Sequence, residues 1–264
     1  MFDANAVSCR VRTVSGRQCL TGYIEYGHPL NISYATCLVR LSVEPSGHLV
    51  IPHAVSDNTW STGAAVMNIS DVPATVHITA YDTAGVMRDA SLETINAHGK
   101  IDFCAAGRFP TVPREEIASI SVTTLFGEAQ LVGVIVIGTR DFHLLSAMNM
   151  PAVDHDSDVK LLPHVASSNS WCTGIGVTNP WDTPCEVIWT ARDSSGAALD
   201  TAFMNLQPHE RKAFLYRNLF PAESAARTES RTASMESVDG RNIGALFLLR
   251  TLDDRLMLMG DTVE

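Results

Sequence analysis

Residues 51–68 read IPHAVSDNTWSTGAAVMN, and residues 162–179 read LPHVASSNSWCTGIGVTN. The same letters, Pro-His, Asn-x-Trp-x-Thr-Gly and a closing Asn, stand at the same places in both. The agreement runs on without a gap from 51–110 to 162–221, where about 21 of 60 positions are identical at an offset of about 111 residues. Asp71 matches Asp182, Pro73 matches Pro184, Asp82 matches Asp193 and Gly85 matches Gly196, and both stretches close on Phe-Pro. After a variable segment the likeness resumes as LVGVIVIGTRD against NIGALFLLRTLDD, with Gly133 opposite Gly244. A period this long is a whole folding unit rather than a solenoid repeat.

Each copy has the alternation of a strand protein. ATVHITAYD places Val76, Ile78 and Ala80 on one face, and CEVIWTARD does the same with Val187, Trp189 and Ala191. Asp-x-Pro and Asp-x-x-Gly supply the turns, with Gly85 and Gly196 free to take positive φ. Further strands are predicted at 86–95, 99–104, 116–124, 131–139 and 142–149, with helical turns near AAGRFP and YRNLFP. The expected fold is all-β: two tandem Ig-like or jelly-roll β-sandwiches, residues 48–149 and 161–264, related by duplication. Residues 150–160 read as a linker, and residues 1–47 as an incomplete strand-rich piece that loosely matches the second half of a repeat. ESAARTESRTASMESVDGRN, about 223–242, is poor in large apolar residues and reads as a mobile loop.

Pro-His, Trp-x-Thr-Gly, Asn, Asp-x-Pro and Phe-Pro in this order resemble tandem β-sandwich repeats of uncharacterised bacterial secreted and surface proteins. The strand-Asn-x-x-Asp-turn-strand layout is similar, with less residue agreement, to the small sandwich of the sensory rhodopsin transducer family. The first resemblance implies a non-catalytic module for adhesion, assembly or ligand display outside the cytoplasm; the second would imply a ligand-binding signalling role. The start MFDANAVSC shows no basic n-region and apolar core, so no signal peptide is visible. The expected location is extracellular or cell-surface, with the cytoplasm as the alternative.

Composition narrows the partners. With 45% hydrophobic and 18% charged residues the chain is a folded one, and its formal charge of −10 disfavours nucleic acid, which needs a dense basic face. No apolar run is long enough to cross a bilayer. Other protein chains, in a homo-oligomer or surface assembly, are the expected partners, with a glycan as a second possibility.

The repeated Asn58, Trp60 and Thr62, with Asn169, Trp171 and Thr173, have two readings. An indole face could stack on a sugar while Asn and Thr hydrogen-bond it. Alternatively Trp plugs a corner, Asn caps a turn and Thr-Gly starts a strand. Because they recur together with turn and core positions, the corner is the preferred reading. His53 and His164 are expected in buried or edge-strand hydrogen bonds rather than on a metal, since His98 and His209 lie far along the chain and no repeated carboxylate is evident near them. Asp154, Asp156 and Asp158 have calcium-loop spacing, but without the glycine and the twelfth-position glutamate a solvated linker is preferred. Cys9 and Cys19 flank a hairpin pattern, VRTVSGRQ, and could bridge in an oxidising compartment; the six cysteines do not recur between copies. No cofactor is expected, and no nucleophile-base or metal motif marks an enzyme.

Overall fold

The computed structural model describes residues 45–126, 130–141, 144–154, 159–166 and 170–251 in full, and the backbone of 23–26, 37–40 and 257–260. The fold is all-β. An N-terminal hairpin pairs β1 (Tyr23–Tyr26) with β2 (Cys37–Arg40). The first half then runs β3 (His48–Ile51), β4 (Trp60–Asn68), β5 (Ala74–Tyr81), β6 (Met87–Ile95), β7 (Lys100–Cys104), β8 (Ser119–Thr124), β9 (Leu131–Thr139) and β10 (Leu145–Asn149). The second half repeats the series as β11 (Val159–Leu162), β12 (Trp171–Thr178), β13 (Cys185–Arg192), β14 (Ala198–Leu206), β15 (Arg211–Leu215), β16 (Thr232–Ser237), β17 (Gly244–Thr251) and β18 (Met257–Gly260).

Each half builds two four-stranded antiparallel sheets in the same order: β3-β8-β5-β6 with β10-β9-β4-β7, and β11-β16-β13-β14 with β18-β17-β12-β15. The predicted alternation holds. Ala74, Val76, Ile78 and Ala80 are fully buried along β5, and Val187, Trp189 and Ala191 along β13. Both strands shift register at their last residue, at Ala80/Tyr81 and at Ala191/Arg192. One buried cluster draws Ile51, Ile78 and Ile120 from the first sheet together with Val66, Ile135 and Ile137 from the second; Trp189, Met235, Val177 and Phe247 do the same in the second half. The helical turns fall where expected, α1 at Ala105–Arg108 and a 3-10 turn at Tyr216–Leu219.

Three expectations change. First, Gly133 is not the counterpart of Gly244. Trp60 pairs with Thr139 and Trp171 with Thr251, so β17 lies one residue further along and Gly244 matches Val132. Only this register puts Ile135 and Ile137 in phase with Phe247 and Leu249, because a one-residue slip would turn every side chain to the other face. Second, residues 223–242 are no loop: they hold a helical turn, α2 (Ala226–Glu229), and β16, whose inward residues are Ala233, Met235 and Ser237. Met235 lies beside Trp189 where the first half pairs Val122 with Ile78, and Ala233 stands where the first half has Ile120. Third, the start of the linker is built into the first half. Val50 N donates to Pro151 O, Val153 N donates to His48 O, and Met150 and Val153 are buried. No helix among the described residues is long and apolar enough to cross a membrane.

Candidate functional site

The repeated corner is built around its threonine. Thr62 is fully buried; its Oγ1 accepts from Val55 N–H and donates to Val55 O, both at 2.8 Å. Thr173 closes the same ring on Ala166, at 2.8 and 3.2 Å. A hydroxyl used in both directions fastens the incoming loop across the strand start. The turn cap is Asp57 rather than Asn58. Asp57 Oδ1 accepts from Thr59 and Trp60 N–H, and these bonds hold its carboxyl below the usual range. Trp60 packs half-buried against the core, Trp171 is half-buried, and Asn58 is exposed. Asn169 lies outside the described residues.

A second matched corner lies at the far end of β4 and β12. Asn68 and Asn179 are 0% exposed. Asn68 Nδ2 donates to the carbonyls of Val72, Ile95 and Asn96, while Oδ1 accepts from Ser70 N–H. Asn179 repeats this on Thr183, Leu206 and Gln207, with Oδ1 accepting from Trp181 N–H. One amide thus clamps two turns. The clamped turns bring together two residues that the sequence separates: His98 Nε2 lies 2.9 Å from Asp71 Oδ1, and His209 Nε2 lies 2.8 Å from Asp182 Oδ1. The repeated carboxylate thought absent is therefore present. Both pairs recur with a spacing of 27 residues, and that shared spacing was the available signal. Both histidines have positive φ, 57° and 56°, at the third position of turns closed by Gly99 N–H to Asn96 O and Glu210 N–H to Gln207 O.

The two halves meet in a joint. The turn after β5 sits on the His209 turn so closely that a β-carbon on Gly85 would lie 2.1 Å from Pro208 O. Tyr81 stacks on His209, with ring centres 4.4 Å apart and planes 14° apart. Arg211 N–H donates to Thr83 O at 3.2 Å and its Nε to Ala118 O at 3.2 Å; burial lowers the pKa of its guanidinium, and burial also raises that of the Tyr81 phenol. Two further glycines allow the approach: a β-carbon on Gly176 would come 2.7 Å from His53 Cβ, and one on Gly244 would come 2.5 Å from Val50 Cγ2. Leu246 and Leu248 of β17 join the first half's core. Trp181 meets His48 edge-on at 6.1 Å, and Asn242 Nδ2 donates to Ala152 O.

The Pro-His motif therefore has two environments. His53 lies in the joint, its buried Nδ1 without a hydrogen-bond partner, and burial with Arg211 nearby pushes its pKa down to about 3. His164 is exposed. His48, held to Ser121 Oγ at 2.7 Å, is pushed down by burial to about 4. Beside His53 an open cavity of about 330 Å³ runs over Cys172, Gly174, Gly176, Leu215 and Leu248 to Arg250.

The acidic stretch is not a free linker at its start. Asp154 accepts from Ser46 Oγ and, at 2.7 Å, from Gly47 N–H. Asp156 and Asp158 lie outside the described residues, among which no group of three or more His, Cys, Asp or Glu could hold a metal. Cys104, Cys172 and Cys185 are free thiols; Cys9 and Cys19 fall outside the described residues.

No family model matches the chain, and no curated protein does. Among solved structures, Bacteroides uniformis beta-glucuronidase 2 covalently bound to cyclophellitol-6-carboxylate aziridine is similar at 10% identity over 81% of this chain and 25% of that one, with a TM-score of 0.17. A second structure of Bacteroides uniformis beta-glucuronidase gives 11%, 81%, 25% and 0.17, and a calcium-binding mutant gives 12%, 83%, 26% and 0.17. The chain spans about a quarter of the length of these proteins, and a likeness at that TM-score carries no argument about fold or activity.

Proposed function

We propose that the chain is a non-catalytic structural module, two tandem β-sandwiches made by duplication, that serves assembly with other protein chains outside the cytoplasm. One observation carries this reading. The second half keeps, on its surface, the face by which the first half enters the joint. Pro163, His164 and Gly196 match Pro52, His53 and Gly85; the first two are exposed, and a β-carbon on Gly196 would meet nothing within 4 Å. Leu161, in the place of Val50, is 44% exposed where Val50 is 2%. An exposed apolar residue within a face that is buried in its twin is a candidate contact.

The fitting partner surface carries glycine opposite Leu161 and His164, as the second half does at Gly244 and Gly176. The first half has Val132 and Ala65 there and does not fit. A second copy therefore docks through its own second half, in exchange with its first. Light scattering over a concentration series tests this. The expected result is a mass above one chain at high concentration that Leu161→Asp returns toward one chain. A single-chain mass at every concentration would count against assembly by this face.

A further inference from the structure

The joint closes over two imidazoles in a way that disfavours their charged form. His53 has its Cβ against the Cα of Gly176, and its buried Nδ1 has no hydrogen-bond partner. Its charged neighbours are cationic: Arg211 from β15, and Arg250 from β17 across the cavity, with the Cys172 thiol of β12 alongside. His48 is bonded to the Ser121 hydroxyl of β8 and covered by the edge of Trp181. Around it stand Asp154 after β10, Asp182 beyond β12 and His209 in the β14–β15 turn; the carboxylates favour a proton and His209 opposes one. Asp154 is bonded to Ser46 and Gly47, and Asp182 to His209, so neither is bonded to His48.

We propose that the joint is an acid-sensitive latch, which lets the second half swing off the first when His48 and His53 take up protons, while the core of each half stays folded. The direction follows from linkage. Both groups bind protons less readily in the closed joint, at about 4 and about 3, than the ordinary 6.5 of an exposed imidazole. Opening therefore takes up protons below 6.5. The closed joint keeps its full stability above that value and loses it as the pH falls toward 4 and 3. At pH 5 each histidine raises the opening equilibrium by about 30-fold relative to pH 8, or about a thousandfold together. In the second half the matched His164 is exposed and adds nothing to the latch.

Hydrogen exchange on the full chain reads the latch directly, because the Arg211 amide donates across the joint to Thr83 O, whereas the amides of β5 and β13 sit inside the two halves. After correction for intrinsic rates, the Arg211 amide is expected to lose protection by two to three orders of magnitude between pH 8 and pH 5, while the β5 and β13 amides keep theirs. The variant His48→Gln/His53→Leu is expected to lose most of that pH dependence, and His164→Leu to keep it. Arg211 protection that follows the β5 and β13 amides at every pH overturns the proposal, without recourse to any variant. So does a pH dependence unchanged in the double variant.

Discussion

The two halves share strand order, corner threonines, buried asparagines and His–Asp turns, yet differ at several residues through which one half touches the other. Gly176 and Gly244 stand against Ala65 and Val132, Tyr81 against Arg192, and Arg211 against Lys100. The shared letters satisfy buried backbone groups and set turns, which each copy must do for itself. The differing letters shape a joint that occurs once. The shared letters keep one architecture in both halves, and the differing ones make two like units into a matched pair.

That comparison can be tested, beginning with the core. Trp189→Ala is expected to cost about 4 kcal/mol and Ile78→Ala about 3 kcal/mol in denaturant unfolding, since both are fully buried and the indole leaves the larger void. A smaller cost at Trp189 would mean that β16 does not depend on it for packing. Next come the clamps. Asn68→Ala and Asn179→Ala should each lose about 2–3 kcal/mol by stranding buried carbonyls, and a large difference between them would break the claim that the clamp is shared architecture. The joint follows. Gly176→Ala should weaken it by about 1–3 kcal/mol, seen as lost exchange protection at Arg211, because its β-carbon enters the His53 side chain. The reverse change, Ala65→Gly, should cost under about 1 kcal/mol and leave the joint intact. The smallest effect is the most discriminating. His98→Gly should stabilise by about 0.5 kcal/mol by relieving a positive φ, whereas His209→Gly should weaken the joint by about 1 kcal/mol through loss of the Tyr81 stack. Equal signs in a thermal melt would show that the two turns do the same work.

Much of the fold was legible because its determinants are local. Alternation in ATVHITAYD and CEVIWTARD marks central strands, and Asp-x-x-Gly marks the hairpins. β16 escaped notice because its inward residues are Ala233, Met235 and Ser237; they read as loop chemistry until Trp189 is known to lie opposite. The glycine match at 133 and 244 misled because a glycine looks alike on either face, and only the pairing with β4 and β12 fixes the phase. At the repeated motif the Thr62 hydroxyl fastens the incoming loop. The turn is capped by Asp57 rather than by the repeated asparagine, because the residue that caps is fixed by which side chain reaches the Thr59 and Trp60 amides. The joint was illegible. Gly176 against Ala65 is an ordinary difference between two copies until His53, more than a hundred residues away, is found on top of it.

The bare faces of Gly176 and Gly244 also give the molecule a polarity. A unit with glycine there can receive a neighbour, whereas a unit with alanine and valine can only offer itself to one. Within the chain the contact therefore has a direction: the second half receives, the first half is received, and the two cannot trade places.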